Sequence, residues 1–212
     1  MPSISKTETL LRLAQAGPLR ARDLAAVGIP RTYLRRLSDR GLLERLDRGL
    51  YGLPDAPATE LHTIAQVAKR VPHATIALLS ALQVHGLTTE APHAVWILID
   101  RGARTPRLGH PKLEVVHASG AAREHGVEQL MIEGVEVHIT SPAKTVADCF
   151  RYRRHVGLDV AIAALREYLN RPEGTPTRKA GRRPGSPIDV LVDAANADRV
   201  YSVLRPYLEA LA

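Results

Sequence analysis

The sequence holds a single cysteine, Cys149, among 212 residues. One thiol excludes an internal disulfide and a C-x-x-C zinc site, and it fits a reducing compartment. Aromatic residues make up only 4% of the chain, too few for a platform on which single-stranded bases could stack. No apolar run approaches the roughly 18 residues of a membrane span. The opening "MPSISKTETLLRLAQAG" lacks the unbroken apolar stretch of a signal peptide and reads as a polar, amphipathic helix, so the expected location is the cytoplasm. There is no P-loop and no G-x-G-x-x-G. None of the nine histidines falls in an H-x-x-x-H or H-E-x-x-H spacing. His62, His73, His85 and His93 therefore read as buried or turn histidines, and no metal or cofactor is expected. The acidic residues of the middle segment form no tight cluster of the kind a Mg²⁺-dependent nuclease uses.

What is abundant is arginine, unevenly placed. The formal charge is +7, and residues 1–55 carry ten Lys/Arg against six Asp/Glu. Residues 56–150 are nearly neutral, with eight against nine, and residues 151–183 carry nine against three. Two basic segments bracketing a neutral middle point to a polyanionic partner.

The first basic segment has a recognisable layout. "SKTETLLRLAQAG" predicts a helix ending at Gly17, and "RARDLAAVG" a second from Arg20 to Gly28. "IPRTYLRRLSDRGLL" comes next after a very tight connection. Wound at about 100° per residue, Arg31 to Arg40 puts Tyr33, Leu34 and Leu37 on one stripe. Arg31, Thr32, Arg35, Arg36 and Asp39 occupy the other side. Pro30 suits a first helical position and Gly41 a stop. "LLERLDRGLYGLP" then predicts a small hairpin, with Gly49 supplying a positive φ and Arg48 at its tip. Three helices and a hairpin in residues 1–55 predict a winged helix-turn-helix, whose second motif helix enters the DNA major groove. Arginine forks match guanine edges and phosphates. Arg31, Thr32, Arg35 and Arg36 are the expected groove contacts and Arg48 a backbone or minor-groove contact, with Arg20 and Arg22 as further phosphate contacts.

Pro54–Thr59 reads as a linker. Beyond it, residues 58–212 predict a mixed α+β domain: helices in "TELHTIAQVAKRV" and "LLSALQVHGL", strands at Ala94–Asp100 and Lys112–Ala118, and a hairpin turning at Glu133-Gly134. "SPAKTVADCFRYRRH", "LDVAIAALREYLNR" and two closing segments predict helices, separated by a basic loop at 171–187. Ser141-Pro-Ala-Lys144 matches the S-x-x-K of some hydrolases. Without a companion motif it reads as structure: Ser141 as N-cap, Pro142 as first helical residue, Lys144 paired with Asp148 one turn on. No catalytic residue is assigned. The cations Arg151, Arg153 and Arg154, and Lys179, Arg182 and Arg183 of the loop, are open to three readings: a solvated surface, contact with flanking DNA, or contact with an acidic or nucleotide-binding partner.

"LAAVGIPRTYLRRLSDRGLLERLDRGLYGLP" resembles the N-terminal domain of AbiEi-type antitoxins of type IV toxin–antitoxin systems. "SALQVHGLT" and "SPAKTVADCFRYR" are similar to phrases of that family's second domain. The "TPTRKAGRRPGSP" loop departs from the family pattern in being longer and more basic. The resemblance implies an autorepressor that binds inverted repeats in its own promoter and neutralises a cognate nucleotidyltransferase-type toxin. Whether it does so by direct binding, by modifying the toxin or by indirect antagonism is not encoded in the spacing. The alternatives are a regulator whose second domain senses a ligand, and an enzyme: a nuclease, or a kinase-like antitoxin acting on its toxin.

Overall fold

In the computed structural model, which describes residues 5–54, 60–171 and 186–211, Ser5 caps helix α1 (Lys6–Ala16). Its hydroxyl accepts the Glu8 N–H at 3.1 Å. Such a cap answers one of the orphan donors of a helix start. Strand β1 (Leu19–Arg20) and helices α2 (Ala21–Ala25) and α3 (Thr32–Asp39) come next, then strands β2 (Glu44–Asp47) and β3 (Leu50–Gly52). The three strands form one antiparallel sheet in the order β1-β3-β2. Leu10, Ala14, Leu19, Leu24, Ile29, Leu34, Leu37 and Leu43 pack into a single apolar core.

Helix α4 (His62–Arg70) belongs with these elements. The first of two units comprises Met1–Arg70 with Met131–Glu136, and the second Val71–Leu130 with Val137–Ala212. Composition alone predicts a division at residues 55–58. Residues 55–59 lie outside the described residues, and polar side chains tie the end of α4 to the first unit. Lys69 pairs with Asp23 at 2.9 Å, and Arg70 pairs with Asp47. Composition marks a change of sequence character, but these long-range ion pairs leave no local signature. Within the same unit, His62 Nδ1 lies 2.6 Å from Glu133 Oε2, with Gln66 at 2.9 Å from the other ring nitrogen.

The second unit is mixed α+β. Strands β4 (Thr75–Ile76), β5 (Val95–Asp100), β6 (Leu113–Ala118), β7 (Val127–Ile132) and β8 (Val135–Thr140), the last two apart from their turn-side residues Met131–Glu136, are ordered β6-β5-β4-β8-β7. β5 runs parallel to β6 and antiparallel to β4, while β4 runs parallel to β8. β7 and β8 are joined by Glu133 and Gly134, both at positive φ, as a two-residue hairpin turn matched to the strand twist requires. Helices α5 (Leu78–Val84), α6 (Ala121–Glu124), α7 (Pro142–Arg151), α8 (Arg153–Val156), α9 (Leu158–Leu169), α10 (Pro187–Ala197) and α11 (Tyr201–Leu211) complete it. The two-residue strands and the one-turn α6 have no counterpart in the sequence pattern, since neither length displays a period. The pattern predicts one long helix over residues 141–155, but it breaks at Tyr152 into α7 and α8.

α7 is the central helix, with every residue from Ala143 to Phe150 buried. Cys149 is among them, and burial pushes its thiol well above the ordinary range. So is Lys144, with no exposed side-chain surface. Its Nζ donates to Asp148 at 2.5 Å, and to both carboxylate oxygens of Asp198 at 2.9 and 3.1 Å. Asp198 caps α10, so this one ammonium pins α10 to α7. One cation between two buried carboxylates leaves a deficit of positive charge. Burial first, and then the neighbouring Asp198, push the Asp148 carboxyl up to about 8 against the pull of Lys144. Asp148 Oδ2 is buried with no hydrogen-bond partner among the described residues.

Lys144→Met is expected to destabilise the second unit by roughly 3–5 kcal/mol, because it leaves the buried Asp198 carboxylate without its cation and Asp148 without its donor. In the unfolded chain Asp148 would release its proton near about 4. The folded unit holds that proton to about 8, so its stability falls as pH rises between those limits. A melting temperature higher near pH 5 than near pH 8.5, flattened by Asp148→Asn, is the expected result.

Candidate nucleic-acid interface

Two glycine turns set the position of α3. After α2, Gly28 takes φ +66°, while its N–H donates to Ala25 O at 3.2 Å and the Ile29 N–H to Leu24 O at 3.0 Å. Paired bonds of this kind close a helix end and turn the chain, and the required left-handed residue favours glycine. Ile29, buried, anchors the turn. Arg31 takes the N-cap position of α3, so Pro30 stands just before the cap and not at the first helical position expected for it. At the other end Gly41 takes φ +70°, and the Gly41 and Leu42 N–H groups donate to Ser38 O and Leu37 O, both at 2.9 Å.

Between these turns α3 buries Leu34 and Leu37. Arg31, Thr32, Arg35, Arg36 and Arg40 are all exposed. Arg35 approaches Asp39 at 3.9 Å, but the two side chains are 85% and 70% exposed. A pair so open to water contributes little and leaves the guanidinium free to exchange partners. Arg36 lies 5.9 Å from the centroid of the Tyr33 ring, as does Lys6 of α1. Tyr33 thus joins two cations to the α3 face through its ring.

The hairpin adds a second cationic feature. Asp47 pairs with Leu50, so Arg48 and Gly49 form a two-residue turn with Gly49 at φ +74°. Arg48 is exposed at the tip. A register shift between Arg45 and Asp47 interrupts the strand alternation, and Arg45 is exposed as well. Its Nε donates to Asp47 O at 3.3 Å. The Asp47 carboxylate is shared: one oxygen accepts the Arg48 N–H, and the other accepts from Arg70. Sequence reasoning misses Arg45 because strict alternation pairs it with the buried Leu43, and a bulge leaves no trace in a pattern of that length.

Other sequence-derived candidates have structural partners. Arg20 is half-buried, and its guanidinium donates to the carbonyl oxygens of Lys69 at 2.9 Å and Arg70 at 3.2 Å. It serves as a cap for α4, whose last carbonyls would otherwise lack donors, and does not stand open for phosphate. Arg22 is exposed but donates to Lys69 O at 3.2 Å and lies 3.8 Å from Asp23. In the second unit Arg151 donates to Asp198 O at 2.6 Å and Arg153 to Phe150 O at 2.9 Å, whereas Arg154 is exposed. Lys179, Arg182 and Arg183 lie outside the described residues. Ser141 accepts the Lys144 N–H at 3.3 Å as the cap of α7, and Lys144 is sealed in its carboxylate cluster. The S-x-x-K match is thus used up by helix capping and ion pairing. His85 donates through Nε2 to Thr140 O at 2.7 Å, and burial holds its pKa below the ordinary value. Among the described residues no group of three or more His, Cys, Asp or Glu is placed to hold a metal ion, and no helix is long and apolar enough to cross a membrane.

Residues 8–54 match the family model described as "Transcriptional regulator, AbiEi antitoxin", the same family that the sequence motifs resemble. The matched span runs from α1 to the end of the hairpin. The crystal structure of the RV2827C protein from Mycobacterium tuberculosis is similar in fold, with a TM-score of 0.51 and 13% sequence identity over 99% of this chain and 83% of that one. At that identity the likeness is one of fold. No curated protein matches the chain.

The contrast between capped and open arginines is measurable in the absence of any ligand. Arg20→Met, which removes two hydrogen bonds to the end of α4, is expected to lower the stability of the first unit by about 1–2 kcal/mol. Arg35→Ala, at an open position, is expected to change it by less than about 0.5 kcal/mol. Chemical denaturation of the two variants beside the parent chain reads the difference.

Proposed function

We propose that the first unit is a winged helix-turn-helix and that the protein is a sequence-specific double-stranded DNA-binding autorepressor of a toxin–antitoxin operon. The observation that carries this reading is the outward face of α3. Leu34 and Leu37 are buried while Arg31, Thr32, Arg35 and Arg36 are exposed. A helix so divided fits the major groove, where arginine pairs with guanine edges. Arg48, exposed at the turn of the hairpin, suits the phosphate backbone beside the groove. The match of residues 8–54 to a family of antitoxin transcriptional regulators supports the regulatory role. We assign the antitoxin activity to the second unit, toward a cognate nucleotidyltransferase-type toxin, and the inverted repeats of the operon's promoter to two copies of the first.

The test is binding to the DNA upstream of the protein's own gene. Affinity is expected to fall with salt, by about 0.9 in the logarithmic slope for each phosphate neutralised. Arg35→Ala or Arg36→Ala is expected to cost roughly 1–3 kcal/mol and to relax preference at one base position. The double variant is expected to lose repression while still rescuing cells that express the toxin. Undiminished promoter affinity in the double variant would refute the groove assignment, and loss of rescue together with repression would refute the division of labour.

A further inference from the structure

The last turn of α4 gathers more polar contacts than a helix end needs for its own stability. Its carbonyls accept from Arg20 and Arg22, Lys69 reaches Asp23, and Arg70 reaches Asp47 in the hairpin. The Arg70 side chain is only 11% exposed and that of Asp47 22%. Burial, and then the nearby Arg20, work against the Arg70 charge. The Asp47 carboxylate is the anionic partner of this half-buried cation.

Asp47 is the one acidic side chain at the hairpin turn, and it stands between two exposed arginines. It directly precedes Arg48, whose N–H it accepts, and its carbonyl oxygen accepts from Arg45 Nε. A carboxylate at that position without its own cation would draw either guanidinium onto itself, since both side chains arise within two residues of it. An arginine captured in this way no longer reaches a phosphate.

We propose that Arg70 is a positioning residue for the wing: by occupying the Asp47 carboxylate, it leaves Arg45 and Arg48 free to engage the DNA backbone. This inference rests on the DNA-binding reading above and extends it in two ways. It adds Arg45 to the contact surface, and it makes α4 part of the DNA-binding unit, with its final residue controlling the charge of the hairpin tip.

The experiment uses the full chain, a duplex covering the DNA immediately upstream of its own gene, and an unrelated duplex of equal length. Affinities are measured over a salt series, with thermal melts recorded in parallel. Arg70→Met is expected to weaken binding to the upstream duplex by about five- to fiftyfold and to reduce the salt slope by the equivalent of one or two phosphates, each about 0.9. Combining it with Asp47→Asn removes the capturing carboxylate while keeping an oxygen to accept the Arg48 N–H. That double variant is expected to recover most of both affinity and slope, even where its melting temperature stays as low as that of the single variant. Parental affinity and slope in Arg70→Met would overturn the proposal and leave the DNA-binding reading standing. A weakening that the double variant does not relieve would also overturn it, because Arg70 would then support only the fold. A parent chain that binds neither duplex would overturn both.

Discussion

An eight-residue helix that buries two leucines has little freedom in what it shows to solvent. Leu34 and Leu37 are fixed in the core with Leu24 and Ile29, and glycine turns close the chain on either side of α3. Of the remaining positions Tyr33 and Ser38 are half-buried, and those left fully to solvent are Thr32, Arg35, Arg36 and Asp39. The cationic face is therefore a consequence of the core. Every substitution that unseats Leu34 or Leu37 would also rotate the arginines away from whatever they meet. Burial of a leucine contributes about 1.5–3 kcal/mol, more than the repulsion of like charges on an exposed face takes away. The packing decides the display.

Much of this was legible from the order of residues, because the signals are local. Gly28, Gly41 and Gly49 all adopt the positive φ that suits their places in the sequence. The turn at Glu133-Gly134 and the strands on either side of it fall where β-branched alternation puts them. Ser141, Pro142, Lys144 and Asp148 take the capping and pairing roles that an i to i+4 spacing defines. In each case the physics operates within one turn of chain.

The parts that were not legible are those where distant residues meet. Lys144 finds its second carboxylate 54 positions away, at Asp198, and no periodicity announces that encounter. Arg20 reads as a free cation beside a recognition helix, yet its guanidinium is taken up by carbonyls some 50 positions on. Composition changes at Pro54 and so groups α4 with the second unit, although its polar contacts are with the first. An arginine has the same letter whether it caps a helix or faces solvent. Only the fold sorts one from the other: among the arginines of the first unit Arg20 and Arg70 are anchored by their contacts, while Arg31, Arg35, Arg36, Arg40, Arg45 and Arg48 are exposed.

Cys149 has a practical consequence of its own. It lies on the central helix of the second unit, fully buried and with its thiol held protonated. A thiolate is the species that reacts with oxidants and alkylating agents, so in the native protein this sulfur is inert. It gains reactivity only when α7 is laid open to water. With one cysteine in the chain, every labelled molecule is one in which that helix has been exposed. The rate of labelling thus serves as a built-in clock for the opening of the second unit, readable by mass alone and without any engineered probe.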